Sequence, residues 1–267
     1  MMQFDSSRAW RDGVAALSAN RDVLLALAGV FFMLPWLAFM LLAPQPGMKP
    51  GMTAPQIVAA MQQFMGQVAP YLLGLMLIEA CGMLAVLTLC TDRSRPTVGE
   101  AIRRGAIGAL PYLGAMLLFV LGFMVVAAIG GALLTLTGGA GSALLMGMTL
   151  GIYVFGQVRM IMAAPVIAIE HRFQPWQVLK RSWQLTGGNV GRILMFLVLL
   201  VLGSQVLMGV IGMIVGSVAA LVGGPETGRI AEAVVSAAML GLFQLLLSSV
   251  MAAMHAQLAG PRADVFG

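Results

Sequence analysis

Charge is what this 267-residue chain has least of: 9% of its residues are Asp, Glu, Lys or Arg, against about 25% in an ordinary soluble domain. Sixty per cent are apolar. A fold of this size could not cover itself against water with so few charges, so the chain reads as an integral membrane protein. Cysteine is nearly absent too. Cys81 and Cys90 lie nine apart in one apolar run; they form neither a Cys-x-x-Cys pair nor a zinc set and read as packing residues. The two histidines, His171 and His255, have no convergent third or fourth ligand by spacing and read as interfacial side chains. There is no His-Glu-x-x-His, no Gly-x-Ser-x-Gly and no Walker loop, and the run Gly138-Gly139-Ala140-Gly141 follows no strand and reads as a turn. No cofactor or metal is expected, and no enzymatic activity.

The fifteen Lys and Arg are too few and too dispersed beside apolar runs for a nucleic-acid surface. They fit a topology signal and an attraction to anionic lipid. The 22 methionines are scattered at helical spacing, which fits packing better than the clustered thioethers a copper site uses.

What is present is six apolar runs, at about 23–42, 68–90, 110–136, 142–169, 190–222 and 230–258. Each meets the roughly 20 residues that a bilayer requires. They are continuous rather than alternating, as helices in lipid must be. The fifth has 33 residues and is expected to tilt, protrude or break, with Gly203, Gly209, Gly212 and Gly216 as weak points. The first run is too long for a signal-peptide core, so no cleavable leader is expected. A stretch over 53–67 reads as an amphipathic helix, with Pro70 marking a kink into the second span. The pairs Gly147/Gly151 and Gly212/Gly216 match the Gly-x-x-x-Gly pattern of close helix contact.

With six spans both termini share a side. That side carries Arg8, Arg11, Arg21, Arg93, Arg95, Arg103, Arg104, Arg172, Lys180, Arg181, Arg192 and Arg262, while the opposite loops carry Lys49 and Arg229. The bias places both termini in the cytoplasm.

Three segments, 6–25, 97–116 and 174–195, precede the first, third and fifth spans. Aligning Arg11, Arg103 and Lys180 superposes Gly13, Gly105 and Ser182. Each segment opens as a short basic amphipathic stretch suited to the membrane interface. The expected fold is therefore all-α: a single polytopic domain over 1–267 with six transmembrane helices in three parallel repeats (about 5–91, 96–170 and 174–260), each preceded by a cytoplasmic interfacial amphipathic helix. Within the spans, Glu79, Arg159 and Gln244 stand 17, 16 and 17 residues before Pro96, Pro175 and Pro261. With Gln157 they form a candidate intramembrane polar cluster, Glu79 and Arg159 being expected to pair at equal depth. The cluster reads either as an inter-helix staple or as a substrate or proton path. The candidate headgroup and interfacial residues are Arg103, Arg104, Trp176, Lys180, Arg181, Trp183, Asn189 and Arg192.

The stretch from Glu170 through Leu179-Lys180-Arg181-Ser182-Trp183-Gln184-Leu185-Thr186 to Asn189 and Arg192 resembles a recurring segment in a group of bacterial multi-span proteins. That group includes the membrane domain attached to some glycerophosphoryl diester phosphodiesterases and related six-helix inner-membrane proteins. In the group hydrolysis belongs to a separate soluble barrel, for which the spans here leave no room. The resemblance implies a stand-alone membrane domain of the bacterial inner membrane without phosphodiesterase activity. The functional expectation is a non-enzymatic protein that handles lipid or organises a membrane complex, with anionic lipids of the cytoplasmic leaflet as partners. The alternative is a small transporter or channel-like protein using the Glu79, Arg159, Gln157 and Gln244 path.

Overall fold

The computed structural model describes residues 3–44, 46–49, 51–92, 94 and 96–260. Arg93, Arg95, Pro261 and Arg262, used above for charge bias and repeat phase, lie outside the described residues. The described chain is helical throughout its regular structure: α1 Ser6–Ala19, α2 Arg21–Ala28, a π-helical turn Gly29–Met33, α3 Leu34–Leu42, α4 Ala54–Thr91, α5 Val98–Leu134, α6 Ala140–Met160, α7 Ala163–Glu170, α8 Pro175–Thr186, α9 Val190–Gly223 and α10 Pro225–Ala259. Six stretches are long and apolar enough to cross a bilayer: Arg21–Leu42, Ala54–Thr91, Val98–Leu134, Ala140–Glu170, Val190–Gly223 and Pro225–Ala259. The chain is a multi-pass membrane protein.

The helix ends follow local chemistry. Asp5 caps α1 by accepting the Arg8 N–H at 3.0 Å. Thr97 caps α5 by accepting the Glu100 N–H at 3.2 Å. Thr53 and Gln56 form a capping box at α4. Within the first span the π turn ends two residues before Pro35, where the missing proline N–H and its ring would disturb a straight α ladder.

The stretch 53–67 is helical and continuous with the second span, α4 running through Pro70 for 38 residues. That is about 57 Å at 1.5 Å per residue, so this helix projects beyond the hydrocarbon on the Lys49 side. Of the three outcomes expected for the fifth span, the break is excluded: α9 is one helix of 34 residues, with Gly212 and Gly216 packed and Gly203 and Gly209 facing open space. The fourth span, expected as continuous, divides at Ile161–Met162 into α6 and α7.

The second amphipathic segment likewise merges into its span, since α5 is continuous from Val98 through Pro111 to Leu134. The other two remain distinct for a reason visible in the backbone. Asn20 leaves the helical region at φ −133° after α1, and Gly187–Gly188, the latter at φ +75°, ends α8. Nothing comparable interrupts 97–116.

The packed core gathers at the end of the bundle where α1, α8 and the α4–α5 turn meet. It is built from Leu84, Leu87, Val158, Met162, Val166, Ile167, Val178, Ile193, Val250 and Met254, with a second cluster around Leu24, Phe32, Val86 and Leu245. At the opposite end Leu136, Leu221 and Val222 are at least 80% exposed, as apolar side chains are when lipid is the solvent. The nine described basic residues of the more basic side all belong to the core end, and Lys49 and Arg229 to the other.

Of the two Gly-x-x-x-Gly matches, only the second is a contact. Gly212 and Gly216 are buried against Ser236 and Glu232 of α10, whereas Gly147 and Gly151 face open space. On the partner helix, a Cβ at Gly228 would stand 2.6 Å from Ala220 Cβ and 2.7 Å from the Gly216 carbonyl oxygen. Gly228→Val should therefore separate the α9–α10 hairpin and lower stability by about 1–3 kcal/mol, while Gly147→Val should stay within about 0.5 kcal/mol. Thermal unfolding of both variants in detergent checks the contrast.

Candidate functional site

The four expected polar residues divide among separate surroundings. Glu79 and Gln244 meet. The Glu79 carboxylate accepts a hydrogen bond from Trp36 Nε1. Glu79 and Gln244 line a cavity of about 140 Å3 with Tyr112, Ser248, Met83 and Met116. Arg159 is elsewhere. Its Nη1 donates to the Trp183 carbonyl at 2.8 Å and to Thr186 Oγ1 at 3.3 Å, so it caps the C-terminal turn of α8, where orphan carbonyls and the negative end of the helix dipole favour a cation. The guanidinium lies over the rings of Phe155 at 5.1 Å and Trp183 at 5.4 Å. Its Nε is buried without a hydrogen-bond partner among the described residues. Gln157 is not among the residues lining the Glu79 cavity and donates from Nε2 to Tyr153 Oη at 2.7 Å. The expected Glu79–Arg159 ion pair is absent: the break at Ile161–Met162 ends the straight count of depth along the fourth span, and α8 supplies Arg159 with nearer acceptors.

Around Arg159 opens a groove of about 960 Å3 between α5, α6 and α8. Leu118, Phe119, Phe123, Ile152 and Phe155 form its apolar walls, and Trp176, Lys180 and Trp183 its α8 side. Helix α8 stands in this position because its sequence is two-faced. Val178, Ser182, Leu185 and Thr186 are buried at spacings of four, three and one, while Trp176 and Trp183, seven apart, are 67% and 44% exposed on the groove side. Pro175 opens the helix at its first position, and Ser182 Oγ donates to the Arg159 carbonyl at 2.5 Å.

The other candidate headgroup residues separate into two sets. Arg104 is engaged within the protein, with Nη1 2.6 Å from Asp92 and Nη2 2.7 Å from Glu100. The Asp92 carboxyl is lowered to about 2, first by the Ser94 backbone N–H, then by the Ser94 hydroxyl and Arg104. Arg181 is engaged too, its Nε reaching both Glu170 oxygens at 3.0 and 2.9 Å. Asn189 is 5% exposed and accepts the Phe4 N–H at 2.9 Å, so it fastens the N-terminal segment and does not face lipid. Arg103, Lys180 and Arg192 are exposed.

His255, expected at the interface, is instead 4% exposed, and its Nε2 lies 3.1 Å from Glu170. Trp36, the partner of Glu79, belongs to no motif; its one signal in the sequence is a tryptophan inside a span, away from the headgroup level that it favours. Among the described residues no three His, Cys, Asp or Glu side chains converge to hold a metal.

No family model, curated protein or solved structure matches the chain.

Because Glu79 and Arg159 share no partner, their substitutions should act independently. In a thermal-unfolding cycle of Glu79→Gln, Arg159→Gln and the double variant in detergent, the coupling should fall within about 0.5 kcal/mol of zero. Most of the destabilisation should come from Arg159→Gln, which uncaps α8.

Proposed function

We propose that this chain is a non-enzymatic, lipid-handling protein of the bacterial inner membrane, with both termini cytoplasmic, and that the groove between α5, α6 and α8 seats an anionic phospholipid. One observation carries the reading. An apolar recess is lined by two cationic side chains, Arg159 and Lys180, with no carboxylate among its lining residues. Aromatic and aliphatic walls suit an acyl chain, and cations without a counter-charge on the same wall suit a phosphate. Trp176 and Trp183 lie beside them, as tryptophans do at headgroup depth. The residues that a transport path would need are divided between separate cavities, which favours lipid over the transporter alternative.

The architecture behind this reading is three parallel repeats. Gly13 rests on Val250 of α10, where a Cβ would lie 2.8 Å from Val250 Cγ2. Gly105 rests on Cys81 and Ala85 of α4. Ser182, fully buried, rests on Arg159 of α6. In each case the small residue at the aligned position meets the second span of the preceding unit, the first unit closing onto the third. Two ion pairs repeat as well. Arg104 with Asp92 and Arg181 with Glu170 each join the residue after an aligned basic position to an acid at the end of the preceding unit. Helices α1 and α8, and the opening turns of α5, fill the interfacial place in this scheme. The likeness of 170–192 to the phosphodiesterase-associated membrane domain fits a stand-alone domain of the same type.

The experiment is lipid retention in nanodiscs of phosphatidylcholine with a minor share of phosphatidylglycerol, read by native mass spectrometry. Phosphatidylglycerol should be enriched on the protein. Lys180→Gln should reduce the enrichment about five-fold, the equivalent of about 1 kcal/mol for one basic residue at the surface. Gly122→Phe, which enters open groove space where no atom lies within 4 Å of an added Cβ, should lower retention of both lipids. Equal retention of the two lipids, unchanged by either substitution, would refute the reading.

A further inference from the structure

The cavity beside Glu79 is separate from the lipid groove and raises its own question. Glu79 stands twelve residues before Thr91 in an apolar helix, yet among the described residues no Arg, Lys or His lines its surroundings. Its neighbours come from four elements. The first span offers Phe32 and Trp36, α4 offers Met76 and Met83, α5 offers Tyr112 and Met116, and α10 offers Gln244 and Ser248. Tyr112 is the one other titratable group among them. Cys81, two residues further along α4, directs its thiol to the Ile102 carbonyl at 3.7 Å. The ion pairs of the described chain lie at other places.

A carboxylate in hydrocarbon with no counter-charge is costly, and such a group either takes up a proton or holds a cation. The donor decides between these. Trp36 Nε1–H donates to the carboxyl, and Gln244 lies beside it on the cavity wall. The tryptophan donor occupies one lone pair, and its positive end repels a metal cation that would need those same oxygens. A proton on a remaining lone pair needs no coordination shell. The adjoining 140 Å3 has room for several waters, and Glu79, Gln244, Ser248 and Tyr112 supply the polar partners that buried water requires. Ser248 Oγ donates to the Gln244 carbonyl at 2.7 Å, which leaves its oxygen open to accept from such a water.

We infer that Glu79 is a reversible intramembrane proton-binding site, its cavity serving as the water-holding chamber through which the proton is exchanged. The assignment stands whether or not the α5–α6–α8 groove takes lipid.

The test is labelling with dicyclohexylcarbodiimide, an apolar reagent that reacts with a carboxyl in its protonated form. The carboxyl oxygen adds to the carbodiimide carbon, the carboxyl proton passes to a carbodiimide nitrogen, and rearrangement leaves a stable N-acylurea. Full-length protein in membrane vesicles is labelled across a series from about pH 6 to about pH 9 and mapped by peptide mass spectrometry. The expected result is modification at Glu79, with a rate that falls about tenfold or more over the series along a single titration curve, and with no protection by excess sodium. Glu79→Gln should lose the label and keep its thermal unfolding temperature, because the amide preserves the size and acceptor oxygen of a protonated carboxyl. Three results would each overturn the assignment: no label at Glu79 at any pH, a rate that does not change with pH, or protection by sodium. The labelling of the native chain stands by itself if the variant inserts poorly.

Discussion

The carboxylate of Glu170 is the contact from which the site end of the molecule is assembled. It ends α7, and it is reached by Arg181 of α8 through both oxygens, by Arg172 of the connecting loop at 3.2 Å and by His255 of α10 at 3.1 Å. Its side chain is 15% exposed, so these partners are held where water screens little. Arg181 fixes the azimuth of α8 about its own axis. That rotation turns Val178, Ser182 and Leu185 into the core and Trp176, Lys180 and Trp183 outward. With α8 placed, its final carbonyls come within reach of Arg159 on α6, and the groove acquires its third wall. Without the Glu170 carboxylate, a half-buried Arg181 would lack its counter-ion and α8 would keep only its apolar face as an anchor.

Elsewhere the chain is joined less by charge than by the close approach of small residues. Lipid is as apolar as leucine, so helices in hydrocarbon gain little from hiding apolar surface and much from shape and polar satisfaction. The distribution of burial follows. The α9–α10 contact runs along Gly212, Gly216, Ala220 and Gly228, while Leu199, Leu202, Val206, Leu207 and Val218 of α9 are exposed. At the basic end, where the interface brings water and headgroups, a conventional packed core returns. Phe4 is pinned there by Asn189 and stacks edge-on to Phe196 at a ring separation of 5.7 Å.

The number, type and order of the spans were legible because hydrocarbon length and backbone satisfaction leave few choices. The aligned positions Gly13, Gly105 and Ser182 were legible as a pattern, though nothing in sequence says that each sits on the span before it. Helix breaks were read poorly. The prolines at positions 70 and 111 leave their helices continuous, whereas the break at Ile161–Met162 stands just before Pro165, which cannot donate to the Ile161 carbonyl four residues back. A helix inside a bundle can tolerate the missing N–H of one proline and break at another. Among the headgroup candidates, exposure was the property that sequence could not supply. Arg103 and Arg104 are neighbours of the same type, yet one is exposed and the other is engaged by Asp92 and Glu100.

The failure of Glu79 and Arg159 to pair follows from how each charge is accommodated. Equal depth made a pair plausible, but Arg159 finds the Trp183 carbonyl and the Thr186 hydroxyl at the end of α8, and Glu79 finds the Trp36 N–H. Dipoles of this kind stabilise a charge without cancelling it. An ion pair would have neutralised both residues and left nothing for a ligand to meet. Held by dipoles instead, Arg159 presents its positive charge on the wall of an apolar groove, and Glu79 keeps a site open beside a small polar cavity. The two residues that resembled one staple in the sequence thus become two separate places where something from outside the chain, an anion at one and a proton at the other, would complete the electrostatics.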